Sequence, residues 1–151
     1  MTPSLIGNSD SKVDAKGRAF LPASFRRLLG DEKVFYLRKG LFENCLVLYP
    51  ETAWESTISE LRQQLNPWVR EEDMIFRQFV ADVEIITLDS SGRFLIPKRY
   101  LKLASIEQEV RFIGMDSTIE IWAKETTEKP FMDPEEFEKE LAEIMGIPDN
   151  K

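Results

Sequence analysis

A ten-residue pattern occurs twice in this chain and limits what it can fold into. The first copy reads Val13-Asp14-Ala15-Lys16-Gly17-Arg18-Ala19-Phe20-Leu21-Pro22, and the second Leu88-Asp89-Ser90-Ser91-Gly92-Arg93-Phe94-Leu95-Ile96-Pro97. Both follow the form apolar-Asp-x-x-Gly-Arg-x-x-apolar-Pro. The same offset of 75 residues places Phe25 over Tyr100 and Leu28 over Leu103, so the match runs into the next element. A duplicated module explains this. Two copies with so long a period do not suit a solenoid, which needs three or more units to bury a continuous core. A single pseudo-symmetric unit fits better.

The shared residues first specify a shape. Asp three residues before Gly, between apolar runs, is a turn signal: Asp14 and Asp89 can bond their own backbone, and Gly17 and Gly92 supply positive φ. The Arg then begins a returning strand, with Arg18 and Phe20 on one face and Ala19 and Leu21 on the other. Pro22 and Pro97 open short helices, since proline suits a first helical turn. Phe25, Leu28 and Leu29, and then Tyr100, Leu101 and Leu103, are their apolar sides, which leaves Arg26-Arg27 and Lys98-Arg99 solvated. Gly30 is a stop signal. Occurring once, the motif would be a hairpin with a solvated or Asp-paired Arg. Occurring twice, the turn accounts for Asp and Gly but not for Arg. A repeated guanidinium points to a repeated contact, because its planar fork suits phosphates and guanine edges.

Charge opposes and then permits a nucleic-acid partner. The formal net charge is −7, and a polyanion repels an acidic chain. The charge is segregated, however. Residues 12–39 carry eight cations and three carboxylates, net +5, and residues 87–111 carry five and three, net +2. Residues 40–86 carry three and nine, net −6, and residues 124–151 four and nine, net −5. With screening over about 8 Å at physiological salt, such faces act separately.

The acidic segments read as helices. Over 51–65, Trp54, Ile58, Leu61 and Leu65 form a stripe behind Pro50. A second helix is expected from Pro67 through Val80, with Trp68, Met74, Ile75, Phe76, Phe79 and Val80 apolar. A third is expected over 133–145, with Asp133 as N-cap, Pro134 next, and Phe137, Leu141, Ile144 and Met145 as its stripe. These stripes read as core packing, and for the last helix docking on a neighbouring subunit is an alternative. Strands are expected at 34–37, 46–49, 83–88, 110–113 and 119–122, the second hairpin having the shorter loop.

Other classes find little support. The chain has no His, no Gly-x-x-x-x-Gly-Lys loop and no paired Cys for zinc, so the expectation is no enzyme, no metal and no cofactor. The lone Cys45 reads as a small core residue and suits a reducing cytosol. No leader pattern and no membrane-length apolar run appear, so a soluble, intracellular protein is expected. Phe20, Phe94 and the other aromatics read as core positions, which argues against an RNA-stacking platform.

Together, Asp14-Ala15-Lys16-Gly17-Arg18 with Leu21-Pro22, Asp89-Ser90-Ser91-Gly92-Arg93 with Ile96-Pro97, and the closing segments Leu46-Val47-Leu48-Tyr49-Pro50 with Trp54 and Ile119-Glu120-Ile121-Trp122 resemble the paired SpoVT-AbrB-type domains of the MraZ family of bacterial transcriptional regulators. The resemblance spans about Lys12 to Glu125. It departs at Ile6-Gly7-Asn8-Ser9-Asp10-Ser11, where a basic stretch would be expected and a DNA contact is therefore not. It implies an α+β fold of two interleaved, swapped-hairpin β modules with peripheral helices. The division expected is 5–66 for the first domain, 67–82 for a connecting helix, 83–126 for the second domain, and 127–151 for an acidic helix and tail.

The resemblance further implies a repressor of a cell-division and cell-wall gene cluster promoter, assembled as a ring-like homo-oligomer on short repeats of double-stranded DNA, cytoplasmic and nucleoid-associated. The expected DNA-contacting residues are Arg18, Arg93, Lys16, Lys12, Arg26, Arg27, Lys98 and Arg99, positioned by Asp14, Gly17, Asp89 and Gly92. Lys16, replaced by Ser91 in the second copy, favours the first. The competing reading is an antitoxin-like module that binds DNA with its β part and a protein partner with its acidic tail.

Overall fold

The structure, a computed structural model, describes residues 4–148; residues 149–151 of the expected acidic tail lie outside them. The first copy supplies β1 (Asn8–Lys12), β2 (Arg18–Phe20), α1 (Ala23–Leu29), β3 (Val34–Lys39), β4 (Leu46–Pro50) and α2 (Glu51–Gln64). Helix α3 (Arg70–Ala81) leads to the second copy, with β5 (Glu84–Thr87), β6 (Arg93–Leu95), α4 (Lys98–Leu103), β7 (Glu109–Met115) and β8 (Thr118–Ala123). A short 3-10 turn at Lys124–Thr127 and α5 (Pro134–Met145) follow.

Strand order in the six-stranded sheet is β1-β7-β8-β4-β3-β5, which is unchanged when it is reversed and the copies are exchanged. Each copy therefore lends its first strand to the other's hairpin: β1 lies on β7 and β5 on β3. The register keeps the 75-residue offset, since Lys12 faces Glu109 and Thr87 faces Val34. Strands β2 and β6 pair with each other, Ala19 opposite Phe94 at the pseudo-twofold axis. Pro50 faces Phe35 as Ala123 faces Val110, an offset of 73, so the second hairpin's connection is two residues shorter. The interleaved, swapped-hairpin α+β architecture is thus the one observed.

Corresponding residues fill one core. Leu21 and Ile96, Phe25 and Tyr100, Phe35 and Val110, Leu37 and Phe112, Leu46 and Ile119, and Leu48 and Ile121 are all buried. At about 1.5–3 kcal/mol for each fully buried side chain, these outweigh the exposed ion pairs, worth about 0–1 kcal/mol each. Cys45 is buried as expected, and burial pushes its thiol up to about 12. On the outer face of β3 and β4, Trp54 of α2 stacks between Tyr36 and Phe79 at centroid distances of 5.1 and 5.7 Å.

Several local expectations change. β1 was not foreseen: Asn-Ser-Asp-Ser-Lys has no apolar alternation, and pairing with β7 alone makes it a strand. Pro22, Pro50 and Pro97 stand at N-cap positions rather than inside the first turn. Helix α3 begins at Arg70, not Pro67, because the Asn66 side chain closes a turn on the Trp68 N–H at 2.9 Å. Asp133 does cap α5, accepting from the Glu136 N–H at 3.2 Å.

The stripes pack less than expected. Leu28 and Leu103 are exposed, as are Trp68, Met74 and Ile75. Helix α5 leaves Phe137, Leu141, Ile144 and Met145 all exposed, so core packing within the chain is not its role.

Candidate nucleic-acid interface

Both motif turns are built in the same way. The Asp14 carboxylate accepts from the backbone N–H groups of Lys16 and Arg18 at 2.9 and 2.8 Å through Oδ1, and from Arg18 Nε at 2.8 Å through Oδ2. Asp89 accepts from the Ser91 and Arg93 N–H groups at 2.8 and 2.9 Å, and from Arg93 Nε at 3.0 Å. Gly17 and Gly92 take φ of 92° and 83°. The Gly17 carbonyl accepts from Ile96 N–H at 2.8 Å, and the Gly92 carbonyl from Leu21 N–H at 2.9 Å, so each turn is stitched to the other copy's strand.

This geometry settles how the arginines are held. Each Nε is committed to its own Asp, and among the described residues no hydrogen bond or ion pair engages the terminal Nη groups of Arg18 or Arg93. The carboxylate orients the guanidinium and leaves its outer edge open. Arg18 faces Leu95 and Arg93 faces Phe20 across the ribbon. The two arginines are therefore diagonal neighbours, about 7–8 Å apart between backbones. Arg18 and Phe20 share the outer face while Ala19 and Phe94 are buried, as strand alternation requires.

The other expected contacts divide. Lys12, Lys16, Arg27 and Lys98 are exposed, and none is in an ion pair among the described residues. Arg26, expected to be solvated, is half-buried: its Nη1 reaches the Ser91 carbonyl at 3.4 Å and its guanidinium fills the space beside Gly92. The equivalent position in the second copy is Leu101, so only the second turn is supported in this way. Where the first turn has Lys16, the second draws its extra cation from α1. Arg99 is exposed but committed, bonding Asp82 at 2.5 Å and the Tyr100 hydroxyl at 3.0 Å and lying 4.2 Å above the Tyr100 ring. The Asp82 hydrogen bond raises its pKa further.

Sequence reading missed the exposure of Phe20, 51% accessible, and of its counterpart Leu95, 52%. Phe94 is core, as expected, but Phe20 lies outside with Arg93 Cζ 5.8 Å from its ring centroid. A single ring covered by an arginine is still not a platform for stacking several bases. The alternation that placed Phe20 beside Arg18 carried the signal.

The turns also predict an acid response. The Asp14 carboxyl is held below the usual carboxylate range chiefly by the Arg18 backbone N–H, and Asp89 likewise by that of Arg93. A depressed native pKa contributes stability above the unfolded value of about 3.9, lost as pH falls through the native value. Thermal unfolding of the Asp14→Asn/Asp89→Asn variant should therefore lie below wild type at pH 6, and the gap should begin to narrow only below about pH 4, closing as pH passes the native values. A gap that does not narrow as the pH is lowered from about 4 towards about 2 would show that the carboxylate charge is not what matters.

Among the described residues, no group of three or more His, Cys, Asp or Glu is placed to hold a metal ion, and no helix is long and apolar enough to cross a membrane.

Comparison with known proteins adds an independent line. The family described as "MraZ protein, putative antitoxin-like" matches residues 5–77 and again 79–144, one match for each copy of the motif. The chain is similar to the transcriptional regulator MraZ of Phocaeicola vulgatus, 60% identical over 147 residues and covering 96% of each chain. It is 57% identical to that of Bacteroides fragilis over 142 residues, 93% of this chain and 90% of the relative. Over 140 residues it is 37% identical to that of Thermoanaerobacter pseudethanolicus, 92% of this chain and 94% of the relative.

Proposed function

Since the chain belongs to the MraZ family, we propose that it is a sequence-specific, DNA-binding transcriptional regulator that represses the promoter of a cell-division and cell-wall gene cluster. The observation that carries the reading is the pair of equivalent turns, each holding an arginine by Nε with its terminal nitrogens unpaired among the described residues, side by side on one ribbon. Helices α1 and α4 add two and three cations with no carboxylate, although Arg26 and Arg99 have partners within the chain. Lys16, Lys12, Arg27 and Lys98 supply phosphate contacts, and Arg26 and Arg99 support the turn and the α4 start. The protein works in the cytoplasm on nucleoid DNA. The swapped modules, 5–66 and 83–126, act as one DNA-reading unit, with 67–82 as connector and 127–151 as an appendage for association.

One ribbon offers few contacts, so the active form is an oligomer, ring-like by family resemblance, reading closely spaced short repeats with many ribbons at once. The exposed apolar residues of α5 and of the groove lined by Leu41, Met74 and Ile75 support self-association, since patches of this kind mark interaction surfaces. Anisotropy of a labelled duplex from the protein's own upstream region, across a salt series, tests the reading. The expected result is binding whose log K falls by about 0.9 per displaced phosphate charge per decade of salt. An assembled protein that binds no duplex would overturn it and favour a protein partner for α5.

A further inference from the structure

The ribbon's outer face carries more than arginines. Phe20 and Leu95 occupy equivalent positions in the two copies, each about half accessible, and each stands opposite an arginine. A ribbon that met only phosphates would gain nothing from an apolar side chain at either position, because phosphate contacts are made by cations and hydrogen-bond donors. Nor is either residue needed for the core, since Ala19, Phe94, Leu21 and Ile96 fill the inner side.

Resting on the DNA-binding reading, we propose that this face enters the major groove with Phe20 and Leu95 against thymine methyl groups, which makes them specificity determinants beside the arginines. Three facts favour the site. The major groove, about 12 Å wide, admits a two-stranded β-ribbon, whereas the minor groove is about 6 Å wide and must be widened to take one. The thymine methyl is the one apolar group on the base edges there, and the terminal nitrogens of an arginine match guanine O6 and N7. The diagonal arrangement, Arg18 beside Leu95 and Arg93 beside Phe20, pairs one polar with one apolar reader in each half of the ribbon. Arg93 Cζ, 5.8 Å from the Phe20 ring centroid, lies close enough for the two side chains to support each other.

The test uses the full chain and two labelled duplexes of the same upstream sequence, one with thymine and one with uracil, which lacks only the methyl group. Wild type should bind the uracil duplex about tenfold more weakly. The Phe20→Ala/Leu95→Ala variant should lose the same factor on thymine DNA and nothing more on uracil DNA, with the salt slope unchanged. Equal wild-type binding to both duplexes overturns the proposal whether or not the variant folds. So do losses that add independently, or a change in assembly size on gel filtration, which would make the patch a subunit contact. Failure of wild type to bind either duplex is a different result: it removes the DNA reading itself.

Discussion

Replacing Arg18 and Arg93 together by alanine is expected to lower affinity for the upstream duplex by about 100-fold or more, at about 1–3 kcal/mol for each arginine that contacts a base. The turns should survive. Asp14 retains the N–H groups of Lys16 and Arg18, and Asp89 those of Ser91 and Arg93, bonds that involve only backbone donors. The lost ion pairs are exposed and contribute at most about 1 kcal/mol each. Circular dichroism and gel filtration should therefore match wild type while anisotropy does not. Arg18→Lys/Arg93→Lys separates charge from shape: an ammonium keeps the positive charge and lacks the planar fork. That variant should retain salt-dependent binding to unrelated duplexes and lose the preference for the upstream sequence. Disassembly of either variant would make the arginines structural.

A large stability loss from a single small substitution is expected at Gly17. Its φ of 92° is strained for any side chain, and a Cβ there would stand 2.7 Å from the Ile96 carbonyl oxygen. That oxygen belongs to the residue whose N–H donates to the Gly17 carbonyl, so the backbone cannot yield without opening the junction between copies. Gly17→Ala should cost about 3 kcal/mol, roughly 10 °C in Tm for a chain of this size. Gly92→Ala should cost less, because the nearest atom, 2.5 Å away, is Nη1 of Arg26, the end of a flexible side chain. Gly30→Ala, at φ 62° and ψ −123° with nothing within 4 Å, sets the cost of conformation alone, about 2 kcal/mol. Thermal unfolding of the three variants in one buffer gives the ranking, and a Gly17 variant no worse than the Gly30 variant would remove the close contact as the cause.

Much of the site could be read from the residues because its causes are local. Asp14 and Gly17 need only their own turn to declare themselves, and the 75-residue repeat then supplied Asp89 and Gly92. The side of β2 on which Arg18 lies followed from alternation. Partners contributed by the other copy were not legible. Nothing near Arg26 in sequence indicates that it packs beside Gly92, 66 positions away. β1 carries no apolar pattern because it needs only the edge of β7 to become a strand. For Phe20, aromatic character points to the core and strand alternation to the outer face, and alternation prevails. In α5, the apolar stripe identified the helix correctly but could not show that none of the described residues covers it.

Joining the two modules in one chain frees them from having to be identical. A ribbon made by two copies of one short protein would be strictly symmetric and would suit a palindrome, because operator symmetry mirrors protein symmetry. Here Lys16 stands against Ser91, Phe20 against Leu95, and Arg26 against Leu101, so the two ends of one ribbon differ while sharing a backbone. On the proposed DNA-binding reading, such a ribbon would have a polarity on the duplex. Its preferred site would have a left and a right, and successive protomers lying the same way around would meet repeats that all point in one direction.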